Sequence, residues 1–111
     1  MLSIMKPIVW IGSSRDDVRA FPDDARREAG FQLDKVQHGN DPDDWKPMNT
    51  IGAGVREIRI REKSGAFRII YVARHANAIY VLHAFSKKTQ QTRTSDIELA
   101  RERFRSLREE P

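Results

Sequence analysis

Val55-Arg56-Glu57-Ile58-Arg59-Ile60-Arg61-Glu62-Lys63-Ser64-Gly65-Ala66-Phe67-Arg68-Ile69-Ile70-Tyr71-Val72 decides the fold of this chain. From Val55 the pattern has a period of two: Glu57, Arg59 and Arg61 share one face, and Ile58 and Ile60 share the other with Arg56. That is a half-covered strand. Lys63-Ser64-Gly65 carries turn chemistry and leads into a second run, Phe67 to Val72. Arg74 to Asn77 turns the chain again into Ile79 to Phe85, which predicts a three-stranded antiparallel meander. The two later runs are almost continuously apolar, so both of their faces should be covered.

Working outward, Ile8-Val9-Trp10-Ile11 reads as a first strand closed by Gly12-Ser13-Ser14. Ser14 with Asp17 predicts a capping box at the start of a short helix. Pro22 cannot donate a hydrogen bond inside a continuous helix, so it begins a second one. That helix carries Ala25, Ala29, Leu33 and Val36 as one stripe and stops at Gly39. Asn40 to Asn49, with Pro42 and Pro47, reads as a loop pinned by Trp45 and Met48. Ser95 and Glu98 predict a second capping box, ahead of a helix with Ile97, Ala100, Phe104 and Leu107 on its apolar stripe. The expected fold class is α+β, in the order β-α-α-β-β-β-α. Its sheet is twisted, four-stranded and mainly antiparallel, with an N-terminal helical pair and a C-terminal helix.

A length of 111 residues with 39% hydrophobic content suits one domain spanning 1–111, with residues 1–6 expected to form a flexible extension. The absence of cysteine excludes disulfides, thiolate catalysis and Cys-ligated zinc, and it favours a cytoplasmic location. Met1 to Lys6 has no charged leader before a long apolar core, and no stretch approaches a membrane span. His38, His75 and His83 lack metal-ligand spacing, and Gly52-Ala53-Gly54 lacks the rest of a dinucleotide fingerprint, so no cofactor is expected.

Charge is distributed unevenly. Met1 to Thr50 holds 7 basic and 9 acidic residues, whereas Ile51 to Pro111 holds 13 and 7. Between Gly52 and Arg93, nine Lys/Arg residues face only Glu57 and Glu62. A basic sheet of this kind attracts phosphate backbones through counterion release, without sequence specificity, and it points toward RNA.

Three strings have a familiar order and spacing: Gly52-Ala53-Gly54-Val55-Arg56-Glu57-Ile58-Arg59, then Phe67-Arg68-Ile69-Ile70-Tyr71, then Leu82-His83-Ala84-Phe85-Ser86-Lys87-Lys88-Thr89-Gln90. With Phe21-Pro22 before them and Asp96 to Arg103 after, the chain resembles the phage-related, HigB-like branch of the RelE/ParE toxin superfamily. The resemblance implies the toxin of a type II toxin-antitoxin pair, neutralised by a small antitoxin, often a helix-turn-helix DNA-binding protein. RelE-like members cut mRNA in the ribosomal A site, whereas ParE-like members poison DNA gyrase without catalysis. A third reading is a degenerate phage protein that binds RNA or antitoxin and cuts nothing.

Cleavage of that kind needs positive charge at the phosphate and at least one proton-transfer group. By resemblance, Arg68 takes the position of the phosphate-stabilising arginine; the alternative is an ion pair with Glu57 on the neighbouring strand. Lys88 is the expected phosphate clamp and Lys87 an expected RNA contact, the alternative being a solvated charge pair; Arg59 and Arg61 are expected phosphate contacts, the alternative being exposed strand charges. Arginine is a poor base, so proton transfer falls to Glu57 or His83, although His83 alternates with apolar residues as a core histidine does. Tyr71 is the aromatic candidate for base stacking; Tyr71 and Tyr80 also suit a core.

Overall fold

The computed structural model describes residues 5–74, 77–88 and 92–108. In chain order the elements are β1 (Ile8–Trp10), α1 (Ser14–Arg19), α2 (Asp23–Gln37), β2 (Trp45–Pro47), β3 (Val55–Glu62), β4 (Gly65–Arg74), β5 (Ala78–Lys87) and α3 (Thr94–Arg108). The strands form one sheet in the order β1-β5-β4-β3-β2, with β1 parallel to β5 and the other neighbours antiparallel. The β3-β4-β5 meander appears where the period-two pattern and turn chemistry place it.

The sheet has five strands, not four. Trp45-Lys46-Pro47, expected inside a loop, pairs with β3 through Trp45↔Ile58, Lys46↔Glu57 and Pro47↔Arg56. Three residues containing a proline fall below what a strand pattern needs. At a sheet edge, however, only one side of the strand must hydrogen-bond, so proline is tolerated there. Trp45 is fixed by the Arg56 guanidinium 3.9 Å above its ring. The order is therefore β-α-α-β-β-β-β-α.

Two cores flank the sheet. On one face, Ala25, Ala29, Leu33 and Val36 of α2 and Val18 of α1 pack on Ile58, Ile60, Ile69, Tyr71 and Val81. On the other, Ala100, Ile97 and Phe104 of α3 pack on Val55, Ile70, Val72 and Leu82. The near-continuous apolar character of β4 and β5 follows from this double cover. A bulge in β5 pairs Ile70 with His83 and Tyr71 with Val81, leaving Leu82 as the extra residue. Leu82 and His83 both consequently serve the α3 side, the first in its core and the second through Asp96.

The helix ends correct two expectations. Ser13, rather than Ser14, is the N-cap residue of α1, and its hydroxyl donates to the Asp17 carboxylate at 2.8 Å. Ser14 is fully buried and donates to the Val81 carbonyl at 3.0 Å, tying α1 to β5. Ser14→Ala is expected to lower stability by about 0.5–1.5 kcal/mol, measured by denaturant melts, because the Val81 carbonyl keeps the Ile11 N–H. Ser95 lies within the first turn of α3, which begins at Thr94, so it is not that helix's cap.

Pro22 stands at the N-cap position of α2, which begins one residue later at Asp23. At its other end, Gly39 has φ +86°, its N–H reaches the Val36 carbonyl, and the Asn40 N–H reaches that of Lys35, a Schellman close. Within the expected N-terminal extension, Lys6 exchanges hydrogen bonds with Gln37 through its backbone N–H and carbonyl, while residues 1–4 lie outside the described residues. The expected Arg74–Asn77 turn includes residues 75–76, also outside them.

Candidate nucleic-acid interface

The β-register gathers Lys46, Arg59, Arg61, Arg68 and Lys87 on the α3 side of the sheet. Lys46, Glu57, Ile70 and His83 form one row across β2 to β5; Arg59, Arg68 and Phe85 form the next; Arg61, Ala66 and Lys87 form a third. Helix α3 covers Val55, Ile70, Val72 and Leu82 on this face, and its entry residues reach the first row. There Thr92 donates to Glu57 Oε2 at 2.9 Å, and Asp96 Oδ1 lies 2.7 Å from His83 Nε2.

Glu57 has no exposed surface. Its Oε1 lies 3.5 Å from Arg68 Nε, 3.8 Å from Arg59 Nε and 4.0 Å from Lys46 Nζ. These are ion-pair distances without hydrogen bonds: Glu57 Oε1, Arg59 Nε and Arg68 Nε are buried and unpartnered among the described residues. One carboxylate thus serves as counter-ion to three cations. Arg68, 8% exposed, is the floor of the site, and its Nη1 donates to the Phe67 carbonyl at 3.0 Å. Burial holds the Arg68 pKa below the usual arginine value; Glu57 opposes that effect, and Arg59 adds to it. Arg59 and Lys46, with side chains 36% and 39% exposed, form the rim.

Lys87 is half-buried in the third row. Burial, and then repulsion from Arg68, lowers its pKa from the ordinary lysine value. Arg61 stands exposed in the same row. Lys88 lies just past β5 and is exposed. His83 is nearly buried, stacked on Phe85 at 5.0 Å between ring centres, with Nδ1 buried and unpartnered among the described residues.

Arg68, Arg59, Glu57, Lys87 and Arg61 are therefore brought together, with His83 behind them under the start of α3. Tyr71 is not: it lies on the opposite face, 1% exposed, with its phenol engaged by Arg56. In that position its ring is closed to stacking, and burial raises its pKa. Two residues join the cluster that the sequence did not single out, Lys46 and Thr92. Only the pairing of β2 with β3 would have revealed Lys46. Among the described residues, no group of three or more His, Asp or Glu side chains is placed to hold a metal ion, and no helix is long and apolar enough to cross a membrane.

A mixed five-stranded sheet with helices on both faces and a cationic cluster beside the start of its last helix defines a small α+β protein. Residues 16–105 match the model of the phage-derived Gp49-like protein family, and the chain belongs to that family, a RelE-like toxin family. A search of the curated proteins found no match to this chain.

Proposed function

We propose that this protein is the toxin of a type II toxin-antitoxin pair, in the HigB-like branch, and that it cleaves mRNA on translating ribosomes. The observation that supports this most directly is the cross-strand pair Arg59↔Arg68 above a shared buried carboxylate, with Lys87 one row further along. In this reading the RNA 2′-hydroxyl attacks the adjacent phosphorus; the O2′–P bond forms as the hydroxyl proton passes to the Lys87 amine, and the P–O5′ bond breaks as the departing 5′-oxygen takes a proton from water. Arg68 and Arg59 stabilise the charge that develops on the phosphate oxygens.

Lys87 suits proton exchange better than either arginine, because burial and repulsion from Arg68 lower its pKa from the ordinary lysine value, whereas a guanidinium is a poor base. Lys88 and Arg61 contact the backbone at the exposed margin. No metal takes part in this scheme. The partners are a cognate antitoxin, proposed to be a small helix-turn-helix protein, together with mRNA and the ribosome, and the setting is the cytoplasm.

Wild type and Arg68→Ala are to be induced in growing bacteria, with 5′-end mapping of mRNA and a parallel gyrase-cleavage assay. In-frame mRNA cuts that disappear in the variant are the expected result. Intact mRNA with trapped gyrase would replace this reading by the ParE-like one.

A further inference from the structure

We propose that the site is a two-phosphate track, in which Lys46 of the edge strand binds the RNA phosphate adjoining the one above Arg68. Glu57 is then a positioning residue rather than a group that moves a proton. This rests on the nuclease reading and adds to it a subsite and a role.

The track follows from register. Lys46, Arg59, Arg68 and Lys87 occupy four different strands and three successive rows on one face. Rows of same-face residues are about 7 Å apart along a strand, and neighbouring strands about 4.8 Å apart, so the four cations form an oblique band wider than one phosphate. Lys46 is at one end of this band and Lys87 at the other. A backbone lying along it meets Lys46 first, then the two arginines, then Lys87.

Glu57 lies beneath this band. Its Oε2 is held by Thr92, its Oε1 faces three cations, and it has no exposed surface, so a substrate hydroxyl does not reach it. Its nearest atom in both guanidiniums is Nε, not a terminal amino group. That geometry offsets the repulsion among Lys46, Arg59 and Arg68 while leaving donors for phosphate. A carboxylate gripped by both terminal amino groups of an arginine would consume those donors.

The test is binding of a single-stranded, 2′-O-methylated RNA oligonucleotide, which cannot be cleaved, across a salt series. Wild type, Lys46→Ala, Glu57→Gln and Lys63→Ala are compared, with cleavage rates on mRNA-programmed ribosomes measured in parallel. Lys46→Ala is expected to bind more weakly and to make the slope of log K against log salt shallower by about 0.7, the value for one lost contact to a single strand. Lys63→Ala removes the same charge from the exposed β3–β4 turn and should keep the wild-type slope.

Glu57→Gln should bind the oligonucleotide at least as tightly as wild type, cleave about tenfold more slowly and retain the acid limb of the pH-rate profile. A wild-type slope in Lys46→Ala would overturn the subsite. Loss of the acid limb in Glu57→Gln would make Glu57 the base and overturn its positioning role. If that variant does not fold, Thr92→Val removes only the hydroxyl bond to Glu57; slower cleavage at unchanged oligonucleotide affinity supports the role, and wild-type cleavage overturns it. Altered slopes without cleavage by any protein would retain the track and reject the nuclease reading.

Discussion

Arg68→Leu is expected to lower the rate of mRNA cleavage by about a hundred- to a thousandfold, the usual effect of removing one preorganised donor from a charged transition state. The thermal midpoint should stay close to that of wild type. The two parts of this result arise from the same burial. Arg68 is 8% exposed, and desolvation disfavours its charge strongly enough to lower its pKa despite Glu57 nearby. Its removal therefore relieves a desolvation cost while taking one of three counter-ions from Glu57, which keeps Arg59 and Lys46.

Breaking a buried pair by leaving its partner alone typically costs about 3–5 kcal/mol, but here the partner is not left alone, so a change within about 1 kcal/mol is expected. Glu57→Leu should behave in the opposite way. It leaves Arg59, Arg68 and Lys46 clustered without a counter-ion and should be the more destabilising change. Single-turnover cleavage and thermal melts of the two variants measure both quantities. Equal losses of stability and cleavage in Arg68→Leu would assign that residue the ion-pair role alone.

The sequence made this floor legible because alternation in β3 is strict: Glu57, Arg59 and Arg61 can only share a face, and strand register then brings Arg68 opposite Arg59. The same rule sends Tyr71 into the core, the place its aromatic character in a strand also favours, and away from the stacking role that its membership of the familiar string suggests. Tyr71 is three residues from Arg68, an odd separation, so the two side chains must point to opposite faces of an unbulged strand segment. Parity likewise separates Lys87, in the row of Arg61, from Lys88 beyond the strand end.

Other features were not legible locally. Lys46 enters the site only through the pairing of a three-residue, proline-containing edge strand, and nothing within Trp45-Lys46-Pro47 signals that pairing. Nor does the sequence mark the bulge at Leu82 that brings His83 to Asp96, since an extra residue in an apolar run leaves no periodic trace. Helix stripes and the Gly39 close were readable because each depends on residues within one or two turns.

Gly52→Ala and Gly30→Ala are expected to change stability in opposite directions, although the substitution is the same. Gly52 lies in the turn before β3, where Met48 accepts its N–H and its own carbonyl accepts from Val55. A Cβ there would sit 2.2 Å from Cε2 and 2.5 Å from Cδ2 of Phe104, inside any tolerable contact. Phe104 belongs to the apolar face of α3, packed against Val55, Val72 and Leu82. The ring must move away from that core or the turn must shift.

Overpacking of this kind costs about 1–3 kcal/mol, and each kcal/mol lowers the midpoint of a chain near this size by about 4–8 °C. Phe104→Leu in the same chain should recover part of the loss, which a turn defect unrelated to Phe104 would not permit. Gly30, by contrast, lies exposed within α2, and a Cβ built on it meets nothing within 4 Å. Alanine there restricts the unfolded chain and favours the helix, so Gly30→Ala should add about 0.5–1 kcal/mol. Denaturant melts of the two single variants and of the Gly52→Ala, Phe104→Leu double variant decide both claims. A neutral Gly52→Ala would mean that α3 is not seated against the loop before β3, and the Thr92 and Asp96 contacts at its start would then have to hold the helix over the cationic site.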